Sequence, residues 1–168
     1  VPPHVYSNSV FFPDGIKEDG ILFFQINCDQ DYQNTIGFKM YSGRFFSKDF
    51  PSDSSAVVIN KKGMEELGWT SHEGHRIAEP NQDGSMLFHD VVGVIEDFNF
   101  SSLHNEIEPL IFTLADWGGL VSVRLEAGNV NHMISEIEGI WKEMAPGEPF
   151  DYSFLDENFD AMFQSEQE

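Results

Sequence analysis

The sequence predicts an α+β fold in two parts: a β-α sandwich built from both ends of the chain and a smaller, mostly β lobe inserted between them. Three observations carry this reading. Strand and helix patterns alternate before about Phe46 and return after about Glu106. The stretch between, 47–105, reads as short strands around one small helix. The 168 residues are 40% hydrophobic and 14% aromatic, enough to bury a core in one domain or two small lobes.

The elements follow in order. Val10 to Phe12 and Gly20 to Asn27 are apolar, β-prone runs, and Pro13-Asp14-Gly15 between them is a turn: proline presets φ and glycine accepts positive φ. Tyr32, Ile36 and Met40 lie four apart, which predicts a helix capped by Asp29 or Asp31 and stopped by Gly43. Asp49 to Ser55 is a polar loop, Ala56 to Ile59 a buried-type strand, and Asn60 opens a helix with Met64 and Leu67 on one side and Gly68 at its end. Strands near His75 to Ala78 and Met86 to Ile95 flank Pro80-Asn81-Gln82-Asp83-Gly84, a hairpin loop. Leu110 to Leu114 and Leu120 to Leu125 read as strands. Asn129 then caps a helix from about Val130 to Met144, with Ile134, Ile137, Trp141 and Met144 in one stripe and Pro146-Gly147 beyond it. Phe150 to Leu155 reads as a strand, and Asp156 caps a final helix carrying Phe159, Met162 and Phe163 on one side.

Charge narrows the partners. Nine Lys and Arg stand against 29 Asp and Glu, a net charge of −20, which repels phosphate backbones and anionic lipid heads; nucleic acid is excluded as a partner. No run reaches the roughly 18–20 apolar residues of a membrane helix, and Val1-Pro2-Pro3-His4 is not a signal peptide. The missing initiator Met and the amphipathic segment still running at Glu168 lead to the expectation of a piece of a longer protein. Cys28 stands alone, without a disulfide partner or a metal-ligand spacing, and its neighbours Asn27 and Asp29 do nothing to activate a thiol. Such cysteine poverty suits a cytosol and a periplasm equally.

Each candidate for chemistry lacks a part. His72, His75, His89 and Asp90 could gather around zinc, but the spacing is not HExxH, and loop histidines are the simpler reading. Asn27-Cys28-Asp29-Gln30-Asp31 alternates oxygens as a calcium loop does, yet Tyr32 and Phe38 occupy the positions that need Gly and Glu. Asn81 to Gly84 lacks a downstream bidentate acid. There is no G-x-S-x-G around Ser101-Ser102-Leu103-His104 and no phosphate-binding glycine loop. Glu96 and Asp97 are adjacent on a strand and so point to opposite faces, a poor catalytic pair. Asn99-Phe100-Ser101 matches a glycosylation sequon, a pattern frequent by chance. The 16 Phe, 4 Tyr and 3 Trp are read as core, with a protein-contact surface around Phe98-Asn99-Phe100 as the sharper alternative. The expectation is a chain with no catalytic, cofactor or metal site.

Four phrases in order carry a resemblance. They are Gly43-Arg44-Phe45-Phe46-Ser47; Ala56 to Asn60 leading into Leu67-Gly68-Trp69; Val92 to Phe100 with Ser102-Leu103-His104; and Pro149 to Asp156. Together they resemble the MacB-like periplasmic core domain of FtsX/MacB-type ABC transporter permeases, especially the two-domain permeases of Bacteroidota, over nearly the whole chain. The resemblance implies a porter-like lobe from 1–46 and 106–168 and an inserted lobe at 47–105, the division reached above from pattern alone. It also implies an extracytoplasmic domain of an integral membrane protein, on the periplasmic side of the inner membrane, that carries no catalytic residue. It would couple ATP hydrolysis by a cytoplasmic ABC ATPase to periplasmic motion or export. Its partners would be that ATPase, reached through the full-length permease, a second permease copy and a periplasmic protein. No cargo is identified, since no long cargo-binding loop or apolar hook is evident.

The structural candidates are Gly43, Arg44, Gly93, Asp97, Phe159 and Phe163. Gly43 is expected as a helix C-cap, and Arg44 as the partner of a carboxylate at the lobe junction. Gly93 inside a strand predicts a bulge or close backbone approach. Asp97 is expected to cap the following turn, and Phe159 and Phe163, four apart, to form the packed face of a lever helix. Two rivals stand beside this reading: a small-molecule sensor ectodomain, which needs one concave pocket with convergent polar groups, and a metal hydrolase on His72, His75 and His89.

Overall fold

The computed structural model describes residues 6–16, 19–98, 107–115 and 119–155. It is a mixed α/β fold. Strands β1 (Tyr6–Pro13), β2 (Ile21–Cys28), β3 (Met40–Gly43), β4 (Ala56–Asn60), β5 (Arg76–Pro80), β6 (Met86–Ile95) and β7 (Leu110–Leu114) form one seven-stranded sheet in the order β3-β6-β4-β7-β2-β1-β5. Helices α1 (Tyr32–Ile36), α2 (Lys61–Glu66) and α3 (Val130–Met144) and a 3-10 turn at Pro51–Ser55 complete it. No helix among the described residues is long and apolar enough to cross a membrane.

The sheet closes on itself, because β5 pairs with β6 as well as with β1. Asp90 is the Cα partner of both Ala56 and Arg76, so β4 and β5 lie on opposite edges of β6. Six strands thus make a ring, with β3 beside the second half of β6. Register sorts the side chains by face. Phe11, Phe23, Val57, Ile59, Ile77, Val91, Val94 and Ile111 share the inner face and, with Met64 of α2, make one buried core cluster. On the outer face of β2 and β7, Phe112 meets Tyr32, Phe38 and Phe45 at ring-centroid separations of 6.3, 5.3 and 5.8 Å. Val10 and Leu22, outward on the β1–β2 ribbon, stay exposed.

The expected strands at 10–12, 20–27, 56–59, 75–78, 86–95 and 110–114 are β1, β2, β4, β5, β6 and β7, and the helices at 61 and 130 are present. Other expectations need correction. The helix after Asp31 ends early: Gly37 takes φ +91° and its N–H donates to the Gln33 carbonyl, so Met40 begins β3. A five-residue helix suffices because Phe38 then turns into the aromatic cluster. Leu120 to Leu125 and Phe150 to Phe154 carry no regular secondary structure.

The separate lobe expected at 47–105 also differs from what the pairing gives. β1, β2 and β7, drawn from both flanking parts, are neighbours as anticipated, but β4 pairs with β7 and β5 pairs with β1 in that same sheet. The strands of the middle segment place Val57, Ile59, Ile77, Val91 and Val94 in the same cluster as Phe11, Phe23 and Ile111 of the flanking parts, so this core is shared and not the segment's own. The compact units divide elsewhere: Val1–Phe98 with Glu106–Ser122, and Asn99–Asn105 with Val123–Glu168. In the second unit, Asn129 caps α3 by accepting from the His132 N–H at 3.2 Å. None of the helix's residues is buried, and Met144 in its apolar stripe is 81% exposed. Trp141 donates to the Glu148 carbonyl, and Phe150, Tyr152 and Phe154 follow in a chain of ring contacts.

Candidate functional site

Three of the sequence candidates meet where β3 crosses β6. Gly43 and Gly93 are Cα partners, and Gly43 has φ +67°. It ends a strand and is not the helix cap expected, since the helix stops at Gly37. A Cβ on Gly43 would strike the Val92 carbonyl oxygen, and one on Gly93 would strike the Arg44 carbonyl oxygen. On the other edge of β6, Val57 pairs with Val91 and Val58 with Gly93, so Val92 is an extra residue in the ladder. Gly93 is therefore both beside a bulge and at a close backbone approach, as its place in an apolar strand implies. The bulge keeps Val91 and Val94 both facing inward.

This close crossing aims Arg44 at the 3-10 turn. Its guanidinium makes two 2.7 Å hydrogen bonds to the two carboxylate oxygens of Asp53, donates to the Phe45 carbonyl at 3.1 Å and lies 3.9 Å over the Phe50 ring. Asp53 is fully buried and also accepts from the Ser47 N–H at 2.9 Å. Burial alone would raise its carboxyl pKa, but the Arg44 and Ser47 hydrogen bonds outweigh burial and hold it below the usual value. Arg44 has the carboxylate partner expected, but the pair braces the entry to β4 within one unit. Asp53 gave no sequence signal beyond Pro51 at the start of its turn, and a serine-rich polar loop looks solvated.

The turn that Asp97 was expected to cap runs outside the described residues; within them Asp97 serves another element. Its Oδ1 accepts from the Lys62 N–H at 2.9 Å in the first turn of α2. Asn60, the helix opener, is fully buried: Oδ1 accepts from the Gly63 and Leu110 N–H groups, and Nδ2 donates to the Glu108 carbonyl. One amide thus joins β4, α2 and the start of β7. Glu96 faces Lys61 at 4.0 Å, apart from Asp97. Phe159 and Phe163 lie outside the described residues, as do Asn99, Phe100 and Ser101 to His104.

The histidines are separated. Nδ1 of His72 is 3.0 Å from Ser42 Oγ. His75 stacks on Trp69 at 4.3 Å with Nδ1 3.1 Å from Asp14, and His89 sits between Glu79 Oε1 at 3.0 Å and the Ser55 carbonyl at 3.2 Å. Among the described residues no three His, Cys, Asp or Glu side chains are grouped to hold a metal ion. The two acidic loops serve their own turns: Asp29 accepts from the Asp31 N–H, and Asp83 from the Ser85 N–H and hydroxyl. Cys28 is buried, and burial, then the Asp29 charge, push its thiol pKa far above the usual value, which leaves it unreactive. Pro13, Asp19, Gly20, Ile21, Glu66, Leu67 and Gly68 line an open groove; Glu66 is engaged by Lys62 at 2.6 Å. This groove lacks the enclosed walls and convergent polar groups of a sensor site.

No protein-family model and no curated protein matches the chain. Solved structures do. The periplasmic region of MacB from Actinobacillus actinomycetemcomitans is 12% identical with a TM-score of 0.63, over 98% of this chain and 74% of that one. A domain of a protein described as a permease from Porphyromonas gingivalis is 17% identical with a TM-score of 0.57, over 83% of this chain and 60% of that one. At such identities the likeness is one of fold, and the fold of this chain is the MacB-like periplasmic domain fold.

Proposed function

We propose that the chain is a non-catalytic periplasmic domain of an ABC transporter permease, anchored by membrane helices of a longer protein and coupling ATP hydrolysis by a cytoplasmic ATPase to motion or export outside the membrane. The observation that carries this reading is the likeness to the MacB periplasmic region across 98% of the chain. The site geometry agrees with it. Arg44–Asp53, the Gly43–Gly93 crossing and the Asn60 hub are all braces: each connects backbone segments within one unit. A second permease copy and a periplasmic protein are the proposed partners besides the ATPase.

The test uses the parent protein. In spheroplasts, external protease should cut the domain while cytoplasmic loops stay protected. In vesicles holding the parent and its ATPase, deleting the domain should abolish transport while ATP hydrolysis persists. A domain protected from external protease would overturn the reading, as would one that takes up a small molecule with a clear rise in Tm and signals through a single following helix.

A further inference from the structure

Among the described residues, the β1–β5 pairing is the shortest in the ring of six strands, and Asp14 bonds across its end. The β1–β2 pairing runs from Tyr6↔Ile26 to Phe11↔Ile21, and β2–β7 from Phe24↔Leu110 to Cys28↔Leu114. The β1–β5 pairing consists only of Phe12↔Ala78 and Pro13↔Ile77. Pro13 and Ile77 are a pair whose N–H positions face away from each other, because the N–H of the next residue, Asp14, faces β5; beyond Phe12 the bonds of this seam therefore fall to Asp14. Asp14 donates its N–H to the Arg76 carbonyl at 2.8 Å; its Oδ1 accepts from the Arg76 N–H at 3.1 Å, and its Oδ2 lies 3.1 Å from His75 Nδ1.

Asp14 is held in an unusual conformation to do this. It is the described non-glycine residue with positive φ, at +50°, a region that asparagine and aspartate tolerate best. Outside the seam, Phe88 of β6 leans on the same turn, since a Cβ on Gly15 would come within 2.8 Å of its ring, and Arg76 stacks over Phe88 at 4.7 Å. Asp14 itself remains on the surface, where water competes for its bonds.

We infer that the ring opens locally at the β1–β5 seam and that Asp14 is the latch that closes it, so that the β1–β2 hairpin can part from β5 and β6 while the remaining pairings hold. The seam follows from the strand pairing alone and is independent of the transporter reading. A domain driven by membrane helices would have in it a ready hinge.

Amide hydrogen exchange on the 168-residue chain tests it. In the unaltered protein, the Asp14 and Arg76 amides should exchange through a local opening that is insensitive to low urea. The Val57, Val58 and Ile59 amides should follow global unfolding. Asp14→Gly accepts the positive φ and deletes the carboxylate, so it should speed Arg76 exchange about tenfold and leave the β4 amides within about twofold. Asp14→Asn keeps an acceptor oxygen and should restore most of the protection. Seam amides as protected as β4 in the unaltered protein would overturn the inference, as would Asp14→Gly accelerating seam and β4 equally. If Asp14→Gly does not fold, the urea dependence of the unaltered protein decides alone.

Discussion

Arg44 and Asp53 show how a single exposed-looking side chain can fix a backbone. The two-point contact holds the carboxylate in a fully buried position that a lysine's single point charge would not match. Arg44→Ala leaves Asp53 buried with only the Ser47 N–H as partner, and should lower unfolding free energy by about 3 kcal/mol in urea titrations at neutral pH. The pH dependence has a definite sign. Because the folded-state pKa of Asp53 is held below its ordinary 3.8, its contribution is present above that value and lost as pH falls through the lower, folded value. Removing Arg44 takes away the depression, so the acid-unfolding midpoint read by circular dichroism should move to higher pH. Gly93→Ala places a methyl group against the Arg44 carbonyl, where backbone cannot yield, and should cost at the upper end of about 1–3 kcal/mol.

At the scale of elements, α2 depends on its cap. The helix spans only Lys61–Glu66, too short to persist by propensity, so Asn60 and Asp97 hold its first turn. Asn60→Ala removes the cap and leaves the buried Leu110 N–H without its acceptor. A loss of about 2–4 kcal/mol is expected in chemical denaturation. Asn60 was legible as a helix opener from its place before Lys61. Its second role, on β7 fifty positions later, was not, since nothing local in the sequence relates the two. The α1 misreading has a similar origin: Tyr32, Ile36 and Met40 share a helical period, but Gly37 between them ends the helix and Met40 pairs with Ile95 in β6.

For the whole molecule, the pairing order makes the fold cooperative across chain segments far apart in sequence. β7 lies between β4 and β2, and β5 between β1 and β6. A fragment of residues 47–105 therefore lacks the neighbours of β4 and β5 and should show no cooperative thermal transition. A fragment of residues 1–98 leaves edges of β2 and β4 unpaired and should aggregate or remain unfolded, as monitored by circular dichroism and size-exclusion chromatography. A cooperative melt for 47–105 alone would restore the idea of an independent inserted lobe.

The sequence by itself determined the type and approximate place of β1, β2, β4, β5, β6, β7, α2 and α3, because alternation, capping residues and turn chemistry act within a few residues of one another. It also determined the acidic surface, the inert single cysteine and, through four ordered phrases, the MacB-like resemblance that the fold comparison then showed. Only the tertiary structure decided that the middle strands share one ring with the ends, that Asp53 is the partner of Arg44, and that Asp14 closes the seam on Arg76. Each of these depends on which strand edge meets which. Edge choice is settled by burying one common core over long sequence separations, and local pattern carries no record of it.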